Sequence, residues 1–282
     1  MVYDNRHRTL LQAIMQGGAV LEHDASLICT KIFGERLNVA SVAQSINDKL
    51  APLAMAMKSG ICEMSGEKYW SIVGTTHEES ITVPSQFNTG QRAFLREIYS
   101  EIISADDGCI SSTDCLNMST TLDVKLSISD ADIFLKYLTK GKWLLIKNGY
   151  VFMGVRSIVE LMPYFRATYQ DNFHNCTLCK EIVFHGRKCE NCNKVFHYYC
   201  LAKYASMQNE SKCPQCRHTL DTSYTSFVAD ESTTSQVANG NGEEQPMDIS
   251  EDGNDNGDKD DDDSEDSPPM RRFSKRTRTQ SK

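Results

Sequence analysis

The most constraining feature of this chain is a run of paired metal-ligand residues. Between residues 176 and 216 the sequence follows C-x2-C-x9-C-x2-C-x4-H-x2-C-x12-C-x2-C. Seven of the chain's 11 cysteines fall in these 41 residues. A close pair offers two thiolates, or a thiolate and an imidazole, to one tetrahedral ion. Zinc closes a structural site with four such ligands. Eight candidates (Cys176, Cys179, Cys189, Cys192, His197, Cys200, Cys213 and Cys216) therefore predict two zinc ions. Pairs adjacent in sequence would make two independent knuckles. Alternate pairs would make a cross-brace, with Cys176, Cys179, His197 and Cys200 on one ion and Cys189, Cys192, Cys213 and Cys216 on the other. Spacing alone leaves both arrangements open. Either way the segment is short of apolar residues, so metal supplies much of its folding energy.

The remaining candidates for chemistry are few. The N-terminus lacks a continuous apolar stretch and a small-residue cleavage site, so no secretory signal is expected and crowded cysteines read as metal ligands rather than disulfides. His174, His185 and His218 flank or interrupt a ligand set that is already complete, and are placed on the surface or around the ligands. Cys29, Cys62, Cys109 and Cys115 lack ligand spacing and read as ordinary thiols. No Cys–His pair outside the motif suggests a nucleophile, so no catalytic residue is assigned.

The formal net charge of -8 hides two regions. Residues 221–282 hold 16 acidic and 7 basic side chains, which leaves residues 1–220 with 22 acidic and 23 basic. The tail is rich in Ser, Thr, Asn, Gly and Asp and cannot bury enough apolar surface to offset chain entropy, so it is expected to be disordered. Its basic end, Arg271–Arg278, reads equally as a nuclear-localisation signal, a nucleic-acid contact or part of a solubilising tail. No apolar run approaches the roughly 20 residues of a membrane helix, and no membrane partner is expected.

Residues 1–160 repeat one plan. Leu10, Leu11, Ile14 and Met15 mark a helix. Asp24 is placed to cap a second, and Leu37–Leu50 carry a third. Ile61–Met64 and Tyr69–Val73 then flank Ser65-Gly66-Glu67 as a hairpin. In the second copy, Phe94–Ile103 is a helix, a weaker one lies near 113–122, and Ser129 is placed to cap a third that ends at Gly141. Lys142–Lys147 and Tyr150–Met153 enclose Asn148-Gly149, a tight-turn signal. Three helices and a hairpin, twice over, is a tandem winged-helix plan. A further helix from Val155 leads toward the cysteines, with Pro163 expected to kink or end it. Lys136, Lys140, Lys142 and Lys147 raise the question of DNA binding, but a body of net charge +1 lacks the broad basic footprint that phosphate contacts need. The apolar faces are expected to serve the core and partner subunits.

Four Cys, one His and three Cys is an order shared by PHD fingers and RING variants. PHD fingers usually carry Trp two residues before the seventh ligand, where this chain has Ser211. RING ligases have an apolar residue before the second ligand, often Pro after the seventh and a basic residue after the eighth. Leu178, Pro214 and Arg217 match. With the preceding winged-helix plan, and with the stretches Gly154–Phe165 and Phe196–Tyr204, the chain resembles the non-structural maintenance of chromosomes element 1 family, the RING-like subunit of the SMC five–six DNA-repair complex. The resemblance covers roughly residues 1–220. It implies a mainly α fold with small β-hairpins, divided into a first winged-helix domain (1–85), a second with its connecting helix (86–172), a cross-braced two-zinc RING-like domain (173–220) and the acidic tail (221–282). It also implies a nuclear, chromosome-associated protein. Its expected partners are a MAGE-type winged-helix subunit, a kleisin subunit, the SMC five–six core and a ubiquitin-conjugating enzyme touching Leu178, Pro214 and Arg217, with DNA reached through the complex. The implied activity is ubiquitin transfer by orientation of the loaded enzyme. The alternatives are an assembly subunit with a purely structural zinc domain and a PHD-like histone reader.

Overall fold

A computed structural model describes residues 2–75, 86–124, 126–169, 173–208 and 211–220. The acidic tail, and with it the expectation of disorder, lies outside these residues. The first unit opens with α1 (Asn5–Gly17). Asp4 accepts from the Arg6 amide, and His7 Nδ1 accepts from the Asp4 amide, so two of the helix's orphan donors are satisfied. Then come β1 (Ala19–Leu21), α2 (Glu22–Phe33), α3 (Val39–Leu50), β2 (Met55–Ile61) and β3 (Lys68–Gly74). The strands form an antiparallel sheet in the order β1-β3-β2. Leu10, Ile14, Val42, Ile46 and Met57 are buried between helices and sheet. Asn47 clamps α3 to the hairpin, donating to the Met57 carbonyl at 3.0 Å and accepting from its amide at 2.7 Å.

The second unit repeats this order. Asn88 and Gln91 form a capping box on α4 (Thr89–Ser104). Next are β4 (Cys109–Ser111), α5 (Ser112–Met118), α6 (Ile128–Lys140), β5 (Leu144–Lys147) and β6 (Tyr150–Met153), with the sheet order β4-β6-β5. Asn148 and Gly149 sit at φ 52° and 80°, the two positive values of the hairpin turn that Asn-Gly favours. Both copies are winged helices, as the sequence plan requires.

Several local expectations are corrected. The strands β1 and β4 span three residues each and give no periodic signal. The helix α2 starts directly from β1 with no side-chain cap, so Asp24 lies in its first turn rather than capping it. Ser127, not Ser129, caps α6: its hydroxyl accepts from the Asp130 amide at 3.1 Å and donates to the Asp130 carboxylate at 2.6 Å. The first wing starts earlier than expected, at Met55, after Ala54 turns the chain in the left-handed region. Cys62–Glu67 is consequently the turn and not a strand, closed by Cys62 N donating to Glu67 O at 2.9 Å.

The helix α7 (Val155–Tyr169) runs through Pro163 without ending. It ties the two units together. Glu160 accepts from Ser71 of β3 at 2.8 Å and from Arg156 at 2.7 Å, while the Arg156 guanidinium lies 4.3 Å from the Trp143 ring centre. Burial pushes the Glu160 carboxyl up, and Arg156 opposes that shift. One turn away, Ser157 meets the buried Tyr99 hydroxyl at 2.7 Å.

The C-terminal unit contains β7 (His174–Asn175) paired with β8 (Ile182–Val183), β9 (Gly186–Lys188) paired with β10 (Val195–His197), and α8 (Tyr198–Gln208). Its own core is small: Val183, Phe196, Leu201, Leu220 and three buried cysteines. Ile182 and Phe184 instead join the core of the second winged helix, with the Phe184 ring 5.6 Å from those of Phe165 and Phe173. The seam is tight enough to demand glycine at 108. Gly108 has φ 64°, and a Cβ there would lie 1.8 Å from the Phe184 carbonyl oxygen.

Candidate metal centre

Three of the four ligand pairs are built alike. In each, the amide following the second cysteine donates back to the first: Lys180 to Cys176 at 2.8 Å, Asn193 to Cys189 at 2.8 Å, and Arg217 to Cys213 at 3.0 Å. In each, the first cysteine's amide donates onward across the turn, to Glu181, Lys194 and His218. Lys180, Asn193 and Arg217 all take positive φ, between 57° and 69°. Each pair therefore lies on a tight backbone knuckle that brings two thiols together. The fourth pair differs. His197 ends β10 and Cys200 lies in the first turn of α8, so the strand-to-helix junction brings His197 Nδ1 to 3.8 Å from the Cys200 sulfur.

Folding brings these pairs together alternately. Cys176, Cys179, His197 and Cys200 form one tetrad and Cys189, Cys192, Cys213 and Cys216 the other, with the ligand atoms of each within 4.8 Å of one another. This is the cross-brace that spacing alone left open. A tetrahedral zinc with bonds of about 2.3 Å to sulfur and 2.0–2.1 Å to nitrogen requires ligand separations of about 3.6–3.8 Å. The Sγ atoms of Cys189 and Cys216 are 3.6 Å apart, and those of Cys192 and Cys213 are 3.7 Å apart. His197 Nδ1 is 3.3 Å from Cys179 Sγ and 3.8 Å from Cys200 Sγ. Both tetrads suit a closed four-ligand ion. Hydrogen bonding with Cys200 pulls the Cys176 thiol well below its ordinary range, and the same contact pushes Cys200 up. Burial opposes a charge on His197, but Cys176 and Glu63 outweigh it and raise that group to about 11. Donors this close hold one another in unequal states unless a cation replaces their protons.

The sequence reading missed the residue behind His197. Glu63, in the turn of the first wing, is 5% exposed. Its carboxylate accepts from the amides of Phe184 at 3.0 Å and His185 at 2.8 Å, and lies 3.0 Å from His197 Nε2. The only sequence signal is an acid in the otherwise apolar run Ile61–Met64.

The other expected residues separate. Leu178 is 37% exposed in the first knuckle. Pro214 is half-buried in the third, and Arg217 is exposed just after it, donating to the Tyr204 hydroxyl at 3.5 Å. His174 and His218 are exposed. His185 is instead buried, its Nδ1 2.6 Å from the Asp107 carbonyl oxygen and its ring against Phe152 and Tyr198. Burial pushes the Cys115 thiol up to about 12, as expected of an inert thiol. The four lysines do not act as one free patch, since Lys136 pairs with Asp132 at 2.6 Å and Lys142 lies 6.0 Å from the Tyr69 ring centre.

Two family models match the chain: a RING-like domain over residues 176–216, and the Nse1 non-SMC component of the SMC5-6 complex over residues 7–161. Among curated proteins, the chain is similar to the non-structural maintenance of chromosomes element 1 homolog of Bos taurus, 30% identical over 217 residues that cover 74% of this chain and 82% of the relative. The Homo sapiens homolog is 29% identical over the same shares, and that of Drosophila melanogaster 26% over 65% of this chain and 78% of the relative. A solved chain from an Nse1-Nse3-Nse4 complex superposes with a TM-score of 0.67 at 25% identity, covering 77% of this chain and 97% of that one.

Proposed function

The chain belongs to the Nse1 family of non-SMC components of the SMC5-6 complex, and we propose that it serves that complex as a zinc-dependent, RING-type ubiquitin ligase subunit in chromosome repair and recombination in the nucleus. The observation that carries the ligase reading is the cross-braced pair of tetrads presenting Leu178, Pro214 and Arg217 on its knuckles. Cys176, Cys179, His197 and Cys200 would hold one zinc, and Cys189, Cys192, Cys213 and Cys216 the other. With four protein ligands each, the ions supply rigidity. The domain contributes no nucleophile. Leu178 and Pro214 dock the conjugating enzyme, and the Arg217 guanidinium steadies its bound ubiquitin, so the gain comes from orientation.

The working division of the chain is a first winged helix over 1–85, a second with its connecting helix over 86–172, the RING-like domain over 173–220 and the tail over 221–282. The winged helices bind protein: the MAGE-type and kleisin subunits, and through them the SMC core. The exposed face of α6 supports this, with Ile133 63% and Tyr137 52% exposed where a DNA-reading helix would present polar groups. DNA is met through the assembled complex.

Reconstituted ubiquitin transfer tests the reading, with and without the MAGE-type partner and across a panel of conjugating enzymes. Arg217→Gly is the informative variant. Glycine accepts the positive φ, so the metal centres stay intact while the guanidinium is lost. Transfer should fall about tenfold, in keeping with one lost charge-assisted contact. No transfer by the wild type in any condition would leave an assembly subunit with a structural zinc domain.

A further inference from the structure

Burying a carboxylate is costly unless its lone pairs are filled. Among the described residues, Glu63 takes three such contacts from the RING-like segment, through the amides of Phe184 and His185 and through His197 Nε2. The same imidazole turns Nδ1 toward Cys179 and Cys200. An imidazole that ligates an ion through Nδ1 carries its proton on Nε2, which here is shared between Glu63 Oε1 at 3.0 Å and the Ile182 carbonyl oxygen at 2.9 Å. We propose that Glu63 is a positioning residue of the metal centre that contains His197, so that this centre is completed by the first winged helix rather than by the RING-like segment alone. The proposal rests on the reading that both tetrads hold zinc. The carboxylate fixes the tautomer and tilt of the ring and raises its basicity as a ligand. The all-cysteine tetrad contains no histidine, so Glu63 has no such handle on it.

Cobalt(II) titration of the full chain tests this, because a site with one histidine and an all-thiolate site give distinct visible d–d bands. Wild type should take up two ions. Glu63→Gln preserves size but removes the charge. It should weaken the histidine-containing site by about tenfold or more, shift its d–d band and leave the all-cysteine site unchanged. Glu63→Asp, which keeps the charge but draws it back, should fall between. Glu67→Gln, exposed on the same turn, should alter neither site. Equal affinities and spectra in Glu63→Gln and wild type would overturn the proposal. So would an equal loss at both sites, since that reports general loosening. Fewer than two ions in the wild type would instead sink the zinc reading, and the proposal with it.

Discussion

The winged-helix body and the RING-like unit reach order by opposite means. The second winged helix buries Phe94, Leu95, Ile98, Tyr99, Trp143 and Phe165 in one continuous core. The RING-like unit lends Ile182 and Phe184 to that core and keeps little beyond Phe196, Leu201 and its cysteines for itself. Apolar burial holds the first region, and on the proposed two-zinc reading ligand bonds hold the second. The two should therefore fail under different insults.

Metal removal should have the largest effect. Structural zinc contributes about 10–16 kcal/mol in small domains near pH 7. A strong chelator should collapse amide protection over residues 173–220 and leave the helical signal of the body in place, which hydrogen exchange would read directly. Cys189→Ser and Cys213→Ser should empty the same centre, and Cys176→Ser the other, by zinc count. Acidification should mimic the chelator. A metal-bound thiolate has a depressed pKa, so its contribution is present at neutral pH and is lost as pH falls and protons displace the ion. Insensitivity of residues 173–220 to both treatments would erase the contrast.

Phe94→Ala should do the converse, lowering the body's stability by about 3–5 kcal/mol while two zincs remain bound. Thermal melting with elemental analysis would show it. The seam between the regions should respond next. Gly108→Ala meets a backbone carbonyl that cannot swing aside, and is expected to cost about 1–3 kcal/mol and raise exchange around Phe184. Ser157→Ala leaves the buried Tyr99 hydroxyl without its partner, for about 1–2 kcal/mol. Converting Lys136, Lys140, Lys142 and Lys147 together to Glu should matter least, changing stability by about 0.5 kcal/mol and leaving partner binding intact. Tight, salt-sensitive duplex binding by the body, lost in that variant, would make the winged helices DNA readers.

The metal centre was the more legible of the two regions. Ligand chemistry requires particular residue types at short spacings, and all eight candidates meet in two clusters. The alternate pairing was not legible in the spacing and came only with the family resemblance, because it depends on how knuckles that are local in sequence pack in three dimensions. In the body, long helices such as α4 and α6 announced themselves through periodicity. The three-residue strands β1 and β4 did not, because a strand that short carries no pattern and is held by its neighbour β3 or β6. Ser129 was a plausible cap by residue type. Ser127 takes the position, with Asp130 answering its hydroxyl, and residue pattern does not separate the two serines because Asp132 stands three residues after Ser129 in the same way. Glu63 was beyond reach, since its partners lie more than 120 residues away in sequence.

The interleaving of the two tetrads also sets a schedule for the nascent chain. Cys200 completes the first ligand set, and Cys216 completes the second only 16 residues later. At about 5–20 residues per second, translation separates the two by roughly one to three seconds. By then Glu63 and both winged helices have long been synthesised. On the proposed two-zinc reading, the first ion would close after that body has been made, and its closure would hold Cys189 and Cys192 in place for the last pair to arrive.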